Sequence, residues 1–185
     1  MRKVIAGINM TLDGFCDHTA IVADDQLHQH YTELISGGGT ILYGRTTYQL
    51  MESYWPLVIK NPTGNKADNE FAVAIDRIPK IVFSRTLKHL EWENASLAKG
   101  DLKEEIVALK QSANGEDKDI LIGSPSLIVA ALNLNLVDEF QICIHPVILG
   151  NGLSLLKNIN ARINLKLLNI KTFGSGAVIH YYGIG

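Results

Sequence analysis

Apolar and polar residues change their period several times along the chain, and each change marks an element. Met1-Arg2-Lys3-Val4-Ile5-Ala6-Gly7-Ile8-Asn9-Met10 holds an apolar run broken by Asn9, too short for a secretory core and of the right length for a first strand. Asp24 or Asp25 can then cap a helix in which Leu27, Tyr31, Leu34 and Ile35 recur at i, i+4, i+7 and i+8, with Gly37-Gly38-Gly39 ending it. Residues 40–43 form a short apolar run of the kind buried in a parallel sheet, and residues 46–52 predict a second helix. Pro56, Pro62 and Gly64, interspersed with Asn and Asp, predict that residues 55–69 are the longest loop. A helix near 69–75, a strand over 80–84 and a shorter strand over 94–98 follow.

The second half repeats the theme and then changes it. Asp101-Leu102-Lys103-Glu104 resembles a capping box at the head of a helix carrying Leu102, Ile106 and Leu109. Residues 119–122 read as a buried strand running into Gly123-Ser124-Pro125-Ser126, where Ser124 is placed to cap a helix and Pro125 to occupy its first position. Past Asp138, residues 140–147, 163–170 and 177–182 are β-rich and separated by Gly or Asn clusters, which points to antiparallel pairing. The expected fold is α/β: a mixed sheet, parallel for its first two thirds and antiparallel at the end, with helices on both faces. No repeat or linker divides the 185 residues, so residues 1–185 read as a single domain.

Composition removes several function classes. With 46% hydrophobic and 19% charged residues the chain is of ordinary globular make-up, and a net charge of −2 provides no basic stripe for nucleic acid. No apolar run is long enough to span a bilayer. Cys16 and Cys143 fit no metal-ligand spacing and read as buried hydrophobes, which suits a reducing, cytoplasmic setting. His28 and His30 lie two apart on a helix and face different ways, and the other histidines are scattered, so no metal site is expected.

Ligands of open α/β sheets gather at the carboxyl ends of the strands, where helix N-termini direct unpaired N–H groups outward. Two turns answer that description. In the first, Gly44 lets the backbone approach a ligand, the N–H groups of Thr46 and Thr47 face an anion, and Arg45 can grip phosphate in a fork. In the second, Gly123 and Ser124 open a helix with Ser126 and Leu127 on its first turn. Taken singly, each turn is described equally well as a capped helix start. Ser84-Arg85-Thr86 sets a hydroxyl beside a guanidinium, a pair suited to a ribose 2′-phosphate. Leu12-Asp13-Gly14-Phe15 is a turn that could fold over a bound ring, with Asp13 ordering a substrate or a neighbouring backbone. His28 shares a helix face with Asp25 and could relay a proton, although a surface histidine is the commoner case.

Five motifs in order, Met10-Thr11-Leu12-Asp13-Gly14-Phe15, Leu42-Tyr43-Gly44-Arg45-Thr46-Thr47-Tyr48, Ile81-Val82-Phe83-Ser84-Arg85-Thr86-Leu87, Gly123-Ser124 with Leu136-Val137-Asp138-Glu139, and His145-Pro146-Val147-Ile148-Leu149-Gly150-Asn151-Gly152, resemble the dihydrofolate-reductase-like fold. Within it they resemble the reductase domain at the C-terminal end of the bifunctional riboflavin-biosynthesis protein, over nearly the whole chain. The resemblance implies NADPH across the carboxyl edge of the sheet, hydride transfer to a pyrimidine, pterin or related heterocycle, and a homodimer. By matching positions it implies phosphate contacts from Gly44, Arg45, Thr46 and Thr47, and contact of Ser84 and Arg85 with the 2′-phosphate. Gly123, Ser124, Ser126 and Leu127 would flank the pyrophosphate and the nicotinamide ribose.

The chain also departs from the families it resembles around the substrate. Dihydrofolate reductases carry a carboxylate inside the early helix and a tryptophan before it, whereas here Asp25 falls at the helix start, His28 lies nearer the expected depth, and no tryptophan precedes Trp55. The riboflavin-pathway reductase uses basic residues there for a ribose phosphate, and residues 24–35 hold no Arg or Lys. Asp13, Asp25 and His28 stand as the catalytic candidates. The alternative to a reductase is a non-catalytic protein that binds NADPH or another nucleotide.

Overall fold

The computed structural model describes residues 2–21, 23–112 and 117–185. Among these residues eight strands form one sheet: β1 (Val4–Thr11), β2 (Gly38–Gly44), β3 (Lys80–Phe83), β4 (Ala95–Leu97), β5 (Asp119–Ile122), β6 (Glu139–His145), β7 (Leu165–Thr172) and β8 (Val178–Ile184). Their order is β4-β3-β2-β5-β1-β6-β8-β7, parallel from β4 through β6 and antiparallel for β6-β8 and β8-β7. The helices are α1 (Asp25–Gly37), α2 (Arg45–Lys60), α3 (Lys66–Arg77), α4 (Leu102–Gln111) and α5 (Pro125–Asn133). This is the expected mixed sheet. One detail differs: β6 joins the parallel part by pairing with β1, because the chain returns through α5 and not through a hairpin.

Strand periodicity sorts the core into two layers. Val4, Ala6, Leu42, Ile120 and Ile122 pack with Ile106 of α4 and Ile128 of α5, while Ile5, Ile41, Tyr43 and Leu121 pack with Ile35, Tyr48 and Ile75 of α1, α2 and α3. Neighbouring residues on β1, β2 and β5 therefore face opposite layers, as a strand period of two demands. Burying such side chains on both faces, at about 25 cal/mol per Å² of apolar surface, is the main force holding the sheet.

Three local expectations are corrected. Residues 55–69 are not a long loop: α2 runs through Pro56 to Lys60 and α3 begins at Lys66, leaving only residues 61–65 between them. Pro56 deletes one helical N–H, but Trp55 packs on Phe71 with ring centroids 4.4 Å apart and Val58 is buried, so tertiary contact overrides the breaker. The turn chemistry is compressed into Thr63, Asn65 and Asn69, with Asn65 accepting from the N–H groups of Ala67 and Asp68. Gly37 closes α1, whereas Gly38 and Gly39 already belong to β2. Leu121 explains why: a Cβ on Gly38 would come within 2.7 Å of its side chain.

The third correction concerns Ser124. It stands at the N-cap of α5 with Pro125 following, yet its hydroxyl makes no capping bond to that helix and instead accepts from the Gly44 N–H at 2.8 Å. Asp24 caps α1 through Leu27 N–H, and Asp101 with Glu104 completes the capping box of α4.

Candidate functional site

The Gly44 to Ser124 hydrogen bond joins the carboxyl ends of two neighbouring strands, β2 and β5, and so brings the first turns of α2 and α5 together. Neither helix has a side-chain cap, and neither has an acidic residue in its first turn. Their leading N–H groups and positive dipole ends are thus left for a ligand. Gly44 has an ordinary φ of −77°, so it is not there for backbone strain. A Cβ at this position would sit 3.4 Å from the Ser126 hydroxyl oxygen and fill the space between the two turns.

Arg45 and Thr46 are exposed beside this cradle, and Arg45 Nη1 donates to Thr86 Oγ1 at 3.0 Å. That bond ties the first turn of α2 to the turn after β3. Ser84 Oγ accepts from the N–H groups of Thr86 and Leu87, which holds the turn closed, and Arg85 is exposed next to it. The three turns predicted from sequence therefore converge on one edge: Gly44 to Thr47, Ser84 to Thr86, and Gly123 to Leu127.

Beneath the edge lies a cavity of about 470 Å³ between the sheet and the helices α1, α2 and α3. Thr47 and Gly123 line it, so it is continuous with the cradle. Its volume falls in the range of small-molecule sites. Gly123 permits the approach of Tyr43, whose ring would lie 3.0 Å from an added Cβ. The aromatic wall includes Tyr54, Trp55 and Phe71.

Of the catalytic candidates, only His28 lines this cavity. Its Nδ1 lies 2.8 Å from Asp68 Oδ1 on α3, with Trp55 and Phe71 rings about it. Asp25 accepts from Asn65 Nδ2 at 2.8 Å and is not among the lining residues. Asp13 accepts from Thr11 Oγ1 and from the N–H groups of Leu149 and Gly150. Those bonds hold its carboxyl below the usual carboxylate range, Thr11 contributing most. Asp13 fastens the turn after β1 to the loop after β6.

Sequence reasoning missed Asp68, which lies forty positions from His28 (68 − 28) and meets it only because α1 packs on α3. It also missed Asn9 and Tyr31, two polar groups on the cavity floor that hydrogen-bond to each other at 3.0 Å. The interruption of the first apolar run by Asn9 was the available signal. Among the described residues no cluster of three or more His, Cys, Asp or Glu could hold a metal ion, and no helix is long and apolar enough to cross a membrane.

The family model of the RibD C-terminal domain matches residues 2–179. The chain belongs to the RibD C-terminal domain family. Bacillus subtilis (strain 168) YyaP, itself uncharacterized, is 36% identical over 181 residues, covering 96% of this chain and 92% of YyaP. Among solved structures, Acinetobacter baumannii RibD superposes with a TM-score of 0.72 at 15% identity, over all of this chain and 58% of RibD. Saccharomyces cerevisiae riboflavin biosynthesis reductase Rib7 superposes with a TM-score of 0.63 at 18% identity, over all of this chain and 90% of Rib7. At those identities the superpositions establish the RibD-like, dihydrofolate-reductase-like fold, and YyaP carries the likeness in sequence.

Proposed function

We propose that this RibD C-terminal domain protein is an NADPH-dependent reductase of a small heterocycle. The observation that carries the reading is the pair of uncapped helix ends, α2 and α5, bridged by Gly44 and Ser124 directly above an apolar cavity. The donor set fits a dinucleotide. Gly44, Arg45, Thr46 and Thr47 with Gly123, Ser124, Ser126 and Leu127 would hold the pyrophosphate and adjoining ribose, as anions at helix N-termini are held. Ser84 and Arg85, drawn toward Arg45 through Thr86, would take the 2′-phosphate that separates NADPH from NADH.

Bound NADPH supplies a hydride. The apolar walls would keep water from the reacting centre once a ring fills the cavity, and Thr47 and Gly123, which line it beside the cradle, would border the ring that enters. Asp68 accepts from His28 Nδ1–H, which fixes the ring, and in its protonated form the imidazole would give up the Nε2 proton that balances the hydride, returning to the neutral Nδ1–H tautomer. Solvent then restores that proton. Membership of a family whose structural relatives include a riboflavin biosynthesis reductase supports reductase chemistry.

Fluorescence titration with NADPH and NADH tests the cofactor. NADPH is expected to saturate and to bind at least about tenfold tighter than NADH, with Arg45→Ala and Ser84→Ala each weakening it several-fold. No binding at millimolar NADPH overturns the reading. NADPH binding without oxidation across pterins, aminopyrimidines and quinones would favour a non-catalytic nucleotide-binding protein instead.

The assembly is proposed as a homodimer. Strand β7 is one of the two sheet edges, and Leu165, Leu167, Leu168 and Ile170 on it are 43–54% exposed, an apolar edge that soluble monomers avoid. A monomer by sedimentation equilibrium would remove that assignment. The two unpaired thiols suit a cytoplasmic setting.

A further inference from the structure

Asn9 puts an amide in the middle of a strand whose neighbours are apolar, and a polar group there is costly unless its atoms are bonded. Its Oδ1 has two partners: Tyr31 Oη donates at 3.0 Å, and His145 Nε2 lies at 3.0 Å. His145 is 1% exposed, and burial holds its pKa below the usual histidine value; because Asn9 Oδ1 can only accept, the facing Nε2–H donates to it. Cys143 Sγ, 3.5 Å from the same nitrogen, closes the network from behind.

With Oδ1 taken twice, the amide is held in one orientation. The Nδ2 hydrogens have no bond within the described residues, although Asn9 lines the cavity. The cavity's charge content points the same way. Among the described lining residues, Asp68 is the sole Asp, Glu, Lys or Arg, and it is engaged with His28. A phosphate placed there would be stripped of water with no guanidinium or ammonium to meet it and with a carboxylate as neighbour. The aromatic wall of Tyr54, Trp55 and Phe71 favours a flat ring.

We infer that the substrate of this cleft is a planar, uncharged ring without a phosphate group, whose carbonyl oxygen accepts a hydrogen bond from Asn9 Nδ2. The inference rests on the reading that the cavity is the substrate site of a reductase. It narrows that reading to neutral pyrimidinone-, pterin- or quinone-type rings and assigns Asn9 as their anchor, held in place by Tyr31 and His145.

Calorimetric titration of the purified protein tests it with two ligand pairs: a ribitylaminouracil against its 5′-phosphate, and a pyrimidinone against the pyrimidine lacking the carbonyl. The uncharged aminouracil is expected to bind at least about tenfold tighter than its phosphate, and the pyrimidinone about tenfold tighter than its carbonyl-free partner. In Asn9→Ala the carbonyl preference should shrink to within about twofold while NADPH affinity stays within about twofold. Tyr31→Phe, which frees one side of the Asn9 amide, supplies a second variant and should cut the preference at least about threefold. Equal or tighter binding of the phosphate, a carbonyl preference that survives in both variants, or no binding of any ring overturns the inference. If the rings bind as stated and NADPH does not bind, the cofactor assignment fails and the substrate inference stands.

Discussion

Of the five helices among the described residues, three close their N-termini with a side chain of their own, and two do not. Asp24, Asn65 and Asp101 cap α1, α3 and α4, each of which also carries an acidic residue in its first turn. The starts of α2 and α5 have neither cap nor acid, and they are the two that meet at the carboxyl edge of β2 and β5. A capped, acid-bearing end has satisfied its N–H groups and offset its dipole internally. An open end keeps both for a ligand, and costs the apo protein the stability a cap would add. Ser124 makes the point most directly. It occupies a capping position and a capping residue type, yet spends its hydroxyl on aligning the two open ends.

Converting one open end into a closed one is the strongest way to break this comparison. Gly44→Asp fits the existing φ of −77° and supplies α2 with its own cap, so thermal stability should hold or rise. The carboxylate would face bound phosphate, and NADPH affinity should fall on the order of 100-fold, about 2.7 kcal/mol. Fluorescence titration beside thermal denaturation reads both, and unchanged affinity would show that the open end is not the phosphate site.

The closed side has a pH signature of its own. On α1, His30 faces away from the cavity, 8% exposed, with Nε2 unpartnered, and burial lowers its pKa to about 4. Between the unfolded value of about 6.5 and about 4 the unfolded chain binds more protons, so stability is lost as pH falls through that window. His30→Phe should flatten that loss, retaining roughly 1–3 kcal/mol at pH near 4, with NADPH affinity at neutral pH unchanged. Denaturant melts as a function of pH check it; an unaltered slope would assign the acid sensitivity elsewhere.

The smallest effect is the reciprocal of the first. Asp101→Ala removes the capping box of α4, which lies away from the cleft, and should cost about 1 kcal/mol while leaving NADPH affinity within about twofold. A loss of affinity here would mean that helix closure and ligand binding are not separable in this fold.

Much of this division was readable in the sequence. The order of elements, the layer periodicity of β1, β2 and β5, and the three turns at Gly44, Ser84 and Gly123 all follow from short-range pattern, and the structure brings those turns to one edge. The stretch around Pro56 was not readable, because a breaker's local cost was outweighed by Trp55 packing on Phe71 from another helix. Asn9 was visible as a flaw in an apolar run. Its fixed orientation depends on Tyr31 and His145, which reach it from α1 and β6.

By itself the sequence determined the α/β class, the family likeness and the three turns proposed to hold a dinucleotide, since periodicity, glycine and turn chemistry act over a few residues. Tertiary structure alone decided that Ser124 leaves the start of α5 open, that His28 answers to Asp68 and not Asp25, and that Asn9 lines the cavity with its oxygen already taken. Each of those depends on partners tens of residues away, brought within hydrogen-bond reach only when the two layers close on the sheet.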